Sequence, residues 1–259
     1  MLAALLFLPL AALAQEPPPP GQPLPPGVVS ARLLPGWTTA DGHRMTALEL
    51  RLEPGWKTYW RSPGDAGVPP RFDWRGSANL ALVEPHWPRP EVIESGGTRT
   101  LGYHDRLVLP LEITPVQPGQ PVDLHAMVDF GLCRDICVPA RISLTAPPAG
   151  PGPDPQVEAA LDRVPHRASR QPECRVEEIA DGMRVTAIFP ELAPEVAMEL
   201  PDVPVWVSQP ELSRRDGLLS ASADFVAETG KPFALDVSRL RMTLIDGDSA
   251  TEYLGCSRG

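Results

Sequence analysis

The chain has 259 residues, of which 34 are proline and 4 are cysteine, and its formal net charge at pH 7 is −10. A surface this acidic argues against nucleic acid or anionic lipid as a partner. Proline removes a backbone donor and breaks helix interiors, so prolines spread along most of the chain nearly exclude long helices and leave strands with proline-marked turns.

The chain begins with an apolar run that ends in Ala12-Leu13-Ala14. Its length and its small-x-small end are typical of a signal peptide, although no Lys or Arg precedes it; a buried N-terminal helix is the alternative. We expect residues 1–14 to be cleaved off after Ala14, residues 15–26 to form a proline-rich tether, and the mature chain to be periplasmic. No later segment offers eighteen apolar residues in a row, so we expect no membrane insertion of the mature chain.

Short segments with period-two alternation follow, a pattern typical of strands with one face on a core. In the first half, their alternating residues are Thr46, Leu48, Leu50 and Leu52; Leu107, Leu109, Leu111 and Ile113; Val122, Leu124, Ala126, Val128 and Phe130; and Val138, Ala140, Ile142 and Leu144. Turn clusters such as Pro63-Gly64-Asp65 separate them. The alternation returns later at Met183, Val185, Ala187 and Phe189, and at Leu240, Met242 and Leu244.

The clearest internal boundary is the proline-rich stretch 146–155. Asp154 is a predicted helix cap, and Pro155 suits the first position of a short helix. We therefore predict an all-β protein of two β-sandwich domains, 27–147 and 170–259, joined by residues 148–169, which comprise a Pro-rich linker and a short helix.

Two strand patterns flank Cys133 and Cys137, so the pair is predicted to lie at or near a hairpin turn, where three intervening residues permit a disulfide. Closing so short a loop contributes only ~2 kcal/mol, so the fold can survive reduction of the bond. Cys174 and Cys256 bracket the second domain and would close a loop of roughly 80 residues, worth ~4.5 kcal/mol as a structural disulfide. Four cysteines allow three connectivities, of which we expect 133–137 and 174–256.

Spacing alone leaves three interpretations of Cys133 and Cys137: a structural hairpin disulfide, a redox-active pair, or part of a metal site. A metal site needs further ligands, which His104 or His125 could in principle supply, but no His lies at ligand spacing from the pair. We therefore predict no metal and no cofactor.

Residues 27–147 resemble the N-terminal periplasmic domain of the thiol:disulfide interchange protein DsbD, including the suppressor-of-copper-sensitivity type. The resemblance rests, in matching order and spacing, on Gly55-Trp56-Lys57-Thr58-Tyr59-Trp60-Arg61, on Gly102-Tyr103-His104-Asp105-Arg106-Leu107-Val108-Leu109-Pro110 and on the segment from Cys133 to Pro139. It implies an immunoglobulin-like fold. It also implies that the pair accepts electrons from a membrane-embedded donor of the DsbD or CcdA type and passes them to periplasmic thioredoxin-fold proteins.

The resemblance also assigns roles within the site. Cys137 matches the cysteine that forms the mixed disulfide, Cys133 matches the resolving cysteine, and residues 94–101 match a cap loop. The residues that we expect in the pocket or cap are Tyr59, Trp60, Gly96, Gly97, Tyr103 and Asp105. Core or strand-end positions are the alternative for the aromatic residues and Asp105. The cysteine spacing is shorter than in better-known members, and a glycine pair replaces an aromatic residue on the cap.

The expected function is therefore that of a component of a protein-disulfide reductase. Two alternatives come from different classes of protein. One is a non-catalytic adaptor or chaperone with two structural disulfides, and the other is a copper-binding protein of copper tolerance.

Overall fold

The computed structural model of this chain describes residues 23–95 and 97–259. Within these ranges, no helix is long and apolar enough to cross a membrane. The predicted signal peptide over 1–14, the first eight residues of the predicted tether and Gly96 lie outside the described residues.

The first domain is a sandwich of two sheets. Its strands are β1 (Val28–Leu33), β2 (Trp37–Thr38), β3 (Arg44–Leu52), β4 (Lys57–Tyr59), β5 (Arg71–Asp73), β6 (Leu80–Pro85), β7 (Glu91–Ser95), β8 (Thr98–His104), β9 (Arg106–Pro115), β10 (His125–Cys133) and β11 (Cys137–Thr145). One sheet has the order β1-β3-β9-β6, with β2 beside β3. The other has the order β11-β10-β4-β8-β7, with β5 beside β10. The cysteine hairpin therefore lies at one side of the second sheet.

The core between these sheets contains the alternating apolar residues that predicted the strands. Leu107, Leu109, Leu111 and Ile113 of β9 face Leu124, Ala126, Val128 and Phe130, which are all buried in one cluster. Because side chains of a strand alternate between its two faces, each set comes from one face only. The predicted all-β class is confirmed.

Strand β3 differs from the expected pattern because both of its faces are buried. Leu48 and Leu50 enter the core, but Ala47 and Glu49 on the other face are also fully buried. The short helix α1 (Pro155–Leu161) covers Ala47 through Val157. The expectation of one solvent-facing side was therefore wrong for β3, since a later segment folds back over it.

Helix α1 begins as the sequence indicates. The Asp154 side chain accepts a hydrogen bond from the Gln156 backbone, and Pro155 occupies the first turn, where its missing N–H costs nothing. Val157 and Ala160 are its buried residues. The helix packs on the first domain, so this part of the segment between the domains is ordered structure.

The second domain is another sandwich of two sheets. Its strands are β12 (His166–Arg167), β13 (Glu173–Ile179), β14 (Gly182–Phe189), β15 (Glu195–Glu199), β16 (Val205–Val207), β17 (Glu211–Arg215), β18 (Leu218–Ala227), β19 (Arg241–Asp246), β20 (Ser249–Leu254) and β21 (Ser257–Arg258), with a 3₁₀ turn over Val237–Arg239. The sheet orders are β12-β20-β19-β15 and β16-β18-β14-β13-β21, with β17 beside β18. Its core contains the predicted alternating residues of β14 and β19.

The two domains are packed against each other. Ala197, Ile245 and Ala250 of the second domain belong to the same buried cluster as the first-domain core. Around them, Arg61 donates to Glu199 and Glu252, both in the second domain. An apolar contact bordered by ion pairs therefore joins the sandwiches.

Candidate redox site

The cysteine pair closes the hairpin formed by β10 and β11. Cys133 is the last residue of β10 and Cys137 is the first of β11, and the two are direct cross-strand partners. Their Cα atoms lie 4.1 Å apart and their sulfurs are bonded. Strand pairing from His125 to Thr145 fixes this register independently of the bond, so the two sulfurs remain neighbours when the bond is open.

The two sulfurs differ in accessibility. Cys133 is only 1 % exposed, whereas Cys137 is exposed, as are the three residues of the connecting loop. Ile136 in that loop is 75 % exposed, which is unusual for a large aliphatic side chain. An approaching protein therefore meets Cys137 and the exposed Ile136 side chain, while Cys133 lies behind them.

Tyr59 contacts both sulfurs. Its hydroxyl oxygen lies 2.8 Å from Sγ of Cys133 and 3.3 Å from Sγ of Cys137. A disulfide sulfur carries no hydrogen, so the hydroxyl is the donor. Burial raises the pKa of Tyr59, which keeps the phenol protonated at neutral pH and able to donate.

Two glycines make room for the Tyr59 ring. A Cβ added at Gly131 would lie 2.8 Å from a ring carbon, and one added at Gly67 would lie 3.0 Å from another. Gly131 is two residues before Cys133 on the same face of β10, so the ring packs directly beside the sulfurs. A side chain at Gly131 would displace the tyrosine, whereas one at Gly67 would clash first with Pro63, whose Cβ would lie 2.3 Å away.

Residues 62–70 form a loop beside this ring. The Ala66 carbonyl lies 3.5 Å from the Tyr59 hydroxyl, and Val68 is within contact distance of the Gly131 position. Sequence reasoning did not single out this loop, because its only visible signal was a turn cluster. The contact between this loop and the Tyr59 ring depends on the pairing of β4 with β10. Local sequence patterns do not reveal which strands pair.

The segment expected to be the cap is the turn of the β7–β8 hairpin. Gly97 adopts a left-handed conformation at that turn, with φ of 79°. Together with Thr98 it lines a shallow recess whose other side is formed by Asp65 and Ala66. The hairpin tip thus adjoins the loop that contacts Tyr59. Gly96 lies outside the described residues.

The other residues expected around the pair occupy different positions. Trp60 and Tyr103 lie in the core of the first domain, and the Tyr103 hydroxyl donates to the Pro88 carbonyl. Asp105 is exposed in the turn between β8 and β9, in a left-handed conformation. The structure thus brings Tyr59 to the sulfurs and gives Trp60, Tyr103 and Asp105 packing or turn positions.

Lys57 is a neighbour of the pair for which we predicted no role. It is the cross-strand partner of Cys133, so both side chains leave the same face of the sheet with Cβ atoms about 5 Å apart. Lys57 is buried, its ammonium group donates to the Thr100 hydroxyl, and burial lowers its pKa. Lys57 lies two residues before Tyr59. Because side chains alternate along a strand, this spacing indicated that both leave the same face of β4.

Cys174 and Cys256 form the second disulfide, which lies in the second domain. Both are buried, and 82 residues separate them along the chain. Cys174 lies on β13, which pairs with the C-terminal strand β21. The bond therefore links the residue just before β21 to the neighbouring strand β13 of the same sheet.

Comparisons with known proteins agree with this geometry. No curated protein sequence matches the chain. The crystal structure of the N-terminal periplasmic domain of ScsB from Proteus mirabilis superposes with a TM-score of 0.63 at 24 % identity, covering 88 % of this chain and 92 % of that one. That likeness shows a shared fold across both sandwiches. The family model of the thiol:disulfide interchange protein DsbD, N-terminal, matches residues 30–148. The first sandwich, with the cysteine hairpin, is therefore the part of the chain that matches the DsbD N-terminal family.

Proposed function

We propose that this chain is a periplasmic thiol–disulfide exchange protein that reduces protein disulfides through Cys133 and Cys137. In the reduced state, the Cys137 thiolate attacks a partner disulfide, forms a mixed disulfide and releases one partner thiolate. The Cys133 thiolate then attacks Sγ of Cys137, which restores the intramolecular bond and releases the second partner thiol. Two electrons pass to the partner in each cycle.

The observation that carries this proposal is the unequal exposure of the two sulfurs. Exchange requires one sulfur that a partner can reach and a second that waits within bonding distance. Cys137 is exposed and Cys133 is buried behind it, as cross-strand partners. A hairpin disulfide with a purely structural role does not need this difference.

The cycle needs a source of electrons, because each turnover leaves the pair oxidised. The match of the first sandwich to the DsbD N-terminal family supports a membrane-embedded dithiol donor as that source and thioredoxin-fold proteins as acceptors. The apolar Ile136 and the exposed Val68 lie beside Cys137 and the Tyr59 ring, where an acceptor would dock.

Trapping the mixed disulfide tests the order of the two sulfurs. Reduced Cys133→Ala protein, mixed with an oxidised periplasmic thioredoxin-fold protein, should accumulate a covalent complex through Cys137, visible on non-reducing gels and by mass spectrometry. The matched variant Cys137→Ala should form little complex, because its remaining thiol is buried. Equal trapping by both variants, or by neither, would contradict the proposal.

Selective reduction tests whether the hairpin bond is the labile one. A mild dithiol should open Cys133–Cys137 and leave Cys174–Cys256 intact, since both sulfurs of the second bond are buried and that bond closes the longer loop. Differential alkylation followed by mass spectrometry reads both bonds in one sample. Equal resistance of the two bonds would favour a non-catalytic adaptor.

A further inference from the structure

A second cluster of reactive side chains lies on the other sheet of the first domain. Asp41 and His43 belong to the turn between β2 and β3, and Glu112 is on β9. One potential ligand atom from each of these three residues lies within 4.8 Å of the other two. Because 69 residues separate His43 from Glu112, sequence spacing gave no sign of the cluster.

Both oxygens of Glu112 face a histidine. Nδ1 of His43 lies 2.7 Å from Oε1, and Nε2 of His86 lies 3.0 Å from Oε2. His86 follows β6, where its backbone N–H donates to the Pro110 carbonyl. Two imidazoles from separate strand ends therefore hold one carboxylate in a fixed orientation.

The turn that carries Asp41 and His43 is held by its own hydrogen bonds. The Thr39 backbone N–H donates to the His43 carbonyl at 2.8 Å, and the Thr39 hydroxyl donates to Asp41. Gly42 occupies a left-handed position with φ of 87°, which a side chain would disfavour. Asp41 and His43 are thus brought to the same side of the turn before any ligand arrives.

The charge around the cluster favours a cation. Glu84 on β6 is the direct cross-strand partner of Glu112, so two carboxylates leave the same face of the sheet side by side. Like charges in this arrangement destabilise a sheet, and Asp41 adds a third carboxylate nearby. A bound divalent cation would offset this repulsion.

We propose that Asp41, His43 and Glu112 bind one divalent transition-metal ion of the Zn²⁺ class. One imidazole nitrogen with two carboxylate oxygens is a donor set that suits Zn²⁺ and its neighbours, whereas Mg²⁺ prefers oxygen alone. Ligand atoms of one zinc ion lie about 2.0–2.2 Å from the metal, so the three side chains need only small rotations to converge. His86 is a positioning residue that holds the second oxygen of Glu112.

Calorimetric titration with Zn²⁺ tests the site on the full chain, with both disulfides kept oxidised so that no thiol competes. The wild-type protein should bind one Zn²⁺ ion, and Mg²⁺ in excess should not displace it. His43→Ala removes a ligand and should weaken binding at least tenfold. His86→Ala should weaken it about tenfold, as loss of an orienting partner does elsewhere.

His125→Ala is the matched control, because His125 is a partly exposed histidine of the same domain that also lies beside a carboxylate, Asp123. It should leave the zinc affinity unchanged. A far-ultraviolet spectrum and a melting curve without metal confirm that each variant is folded, and Glu112→Gln provides a third probe if one histidine variant is not. Absence of stoichiometric binding, or equal losses for His43→Ala and His125→Ala, would overturn the proposal and leave the cluster as an ion-pair network.

Discussion

The Tyr59 hydroxyl donates to sulfur in a buried environment, and this contact has consequences for the reduced state. A hydrogen bond to a charged group is worth about 1.5–3 kcal/mol, roughly twice a neutral one. When the disulfide opens, the same hydroxyl can donate to whichever sulfur carries the negative charge. Stabilisation of a thiolate lowers the pKa of its thiol and increases the fraction that can attack a partner.

Replacing Tyr59 by Phe should therefore raise the pKa of the attacking thiol by about one to two units, because 1.36 kcal/mol corresponds to one unit. The pH dependence of iodoacetamide alkylation of Cys137 in the reduced protein measures this shift. Tyr103→Phe is the control, since that buried hydroxyl donates to the Pro88 carbonyl instead. An unchanged alkylation profile in Tyr59→Phe would mean that the hydroxyl only fills space.

At the scale of elements, strand β3 carries an ionised group on its helix-covered face. Glu49 is fully buried and is surrounded by the guanidinium groups of Arg32, Arg51 and Arg106, which come from β1, β3 and β9. Burial alone would raise the pKa of Glu49, but the hydrogen bonds from the three arginines outweigh it and hold this pKa below its usual value. The carboxylate thus ties three adjacent strands together.

Glu49 should make the first domain sensitive to acid. Because its folded-state pKa lies below the unfolded one, its contribution is complete above about pH 4.5 and is lost as the pH falls through the folded-state value. Glu49→Gln should cost about 1–3 kcal/mol at pH 7 and a smaller amount at pH 3.5. Urea unfolding at both pH values measures this, with the exposed Glu53→Gln as control. If Glu49→Gln lost the same free energy of unfolding at pH 7 and at pH 3.5, the negative charge of Glu49 would not be the source of its stabilisation.

The sequence predicted most elements of the fold but only part of the site. Alternation in β9 and β10 located the core, and the flanking strands placed the cysteine pair at a turn, because both signals are local. The contact of Tyr59 with the sulfurs and the cover over Glu49 arise from pairing between distant segments. No residue's neighbours along the chain encode such contacts, so the sequence placed Tyr59 and Trp60 together in the expected pocket without separating their roles.

At the scale of the whole molecule, Arg61 joins the two sandwiches. Its guanidinium group is largely buried, binds Glu199 and Glu252, and lies 4.3 Å from the ring centroid of Trp60. Arg99 adds a second ion pair across the interface, with Glu195. Arg61 follows Tyr59 by two residues, so the strand that supplies the sulfur contact is also held by the second domain.

Arg61→Met should loosen the docking of the two domains, because it leaves Glu199 and Glu252 close together without a cation. Removing one partner of a buried ion pair costs about 3–5 kcal/mol. We expect a larger radius of gyration by X-ray scattering and a lower melting temperature of the first domain, which holds five of the six tryptophans and so dominates the fluorescence. Arg75→Met, which breaks an exposed pair with Asp73, is the control and should change neither quantity.

The cross-strand register of Cys133 and Cys137 also sets how long a covalent complex can last in the proposed exchange. With Cα atoms 4.1 Å apart, the resolving thiol acts on the mixed disulfide as a tethered reagent, and well-aligned tethered groups reach effective concentrations on the order of 10⁵ M. Free thiols in solution cannot compete with this. The wild-type protein should therefore release each acceptor by itself, without a glutathione-like helper, and its covalent adducts should be brief.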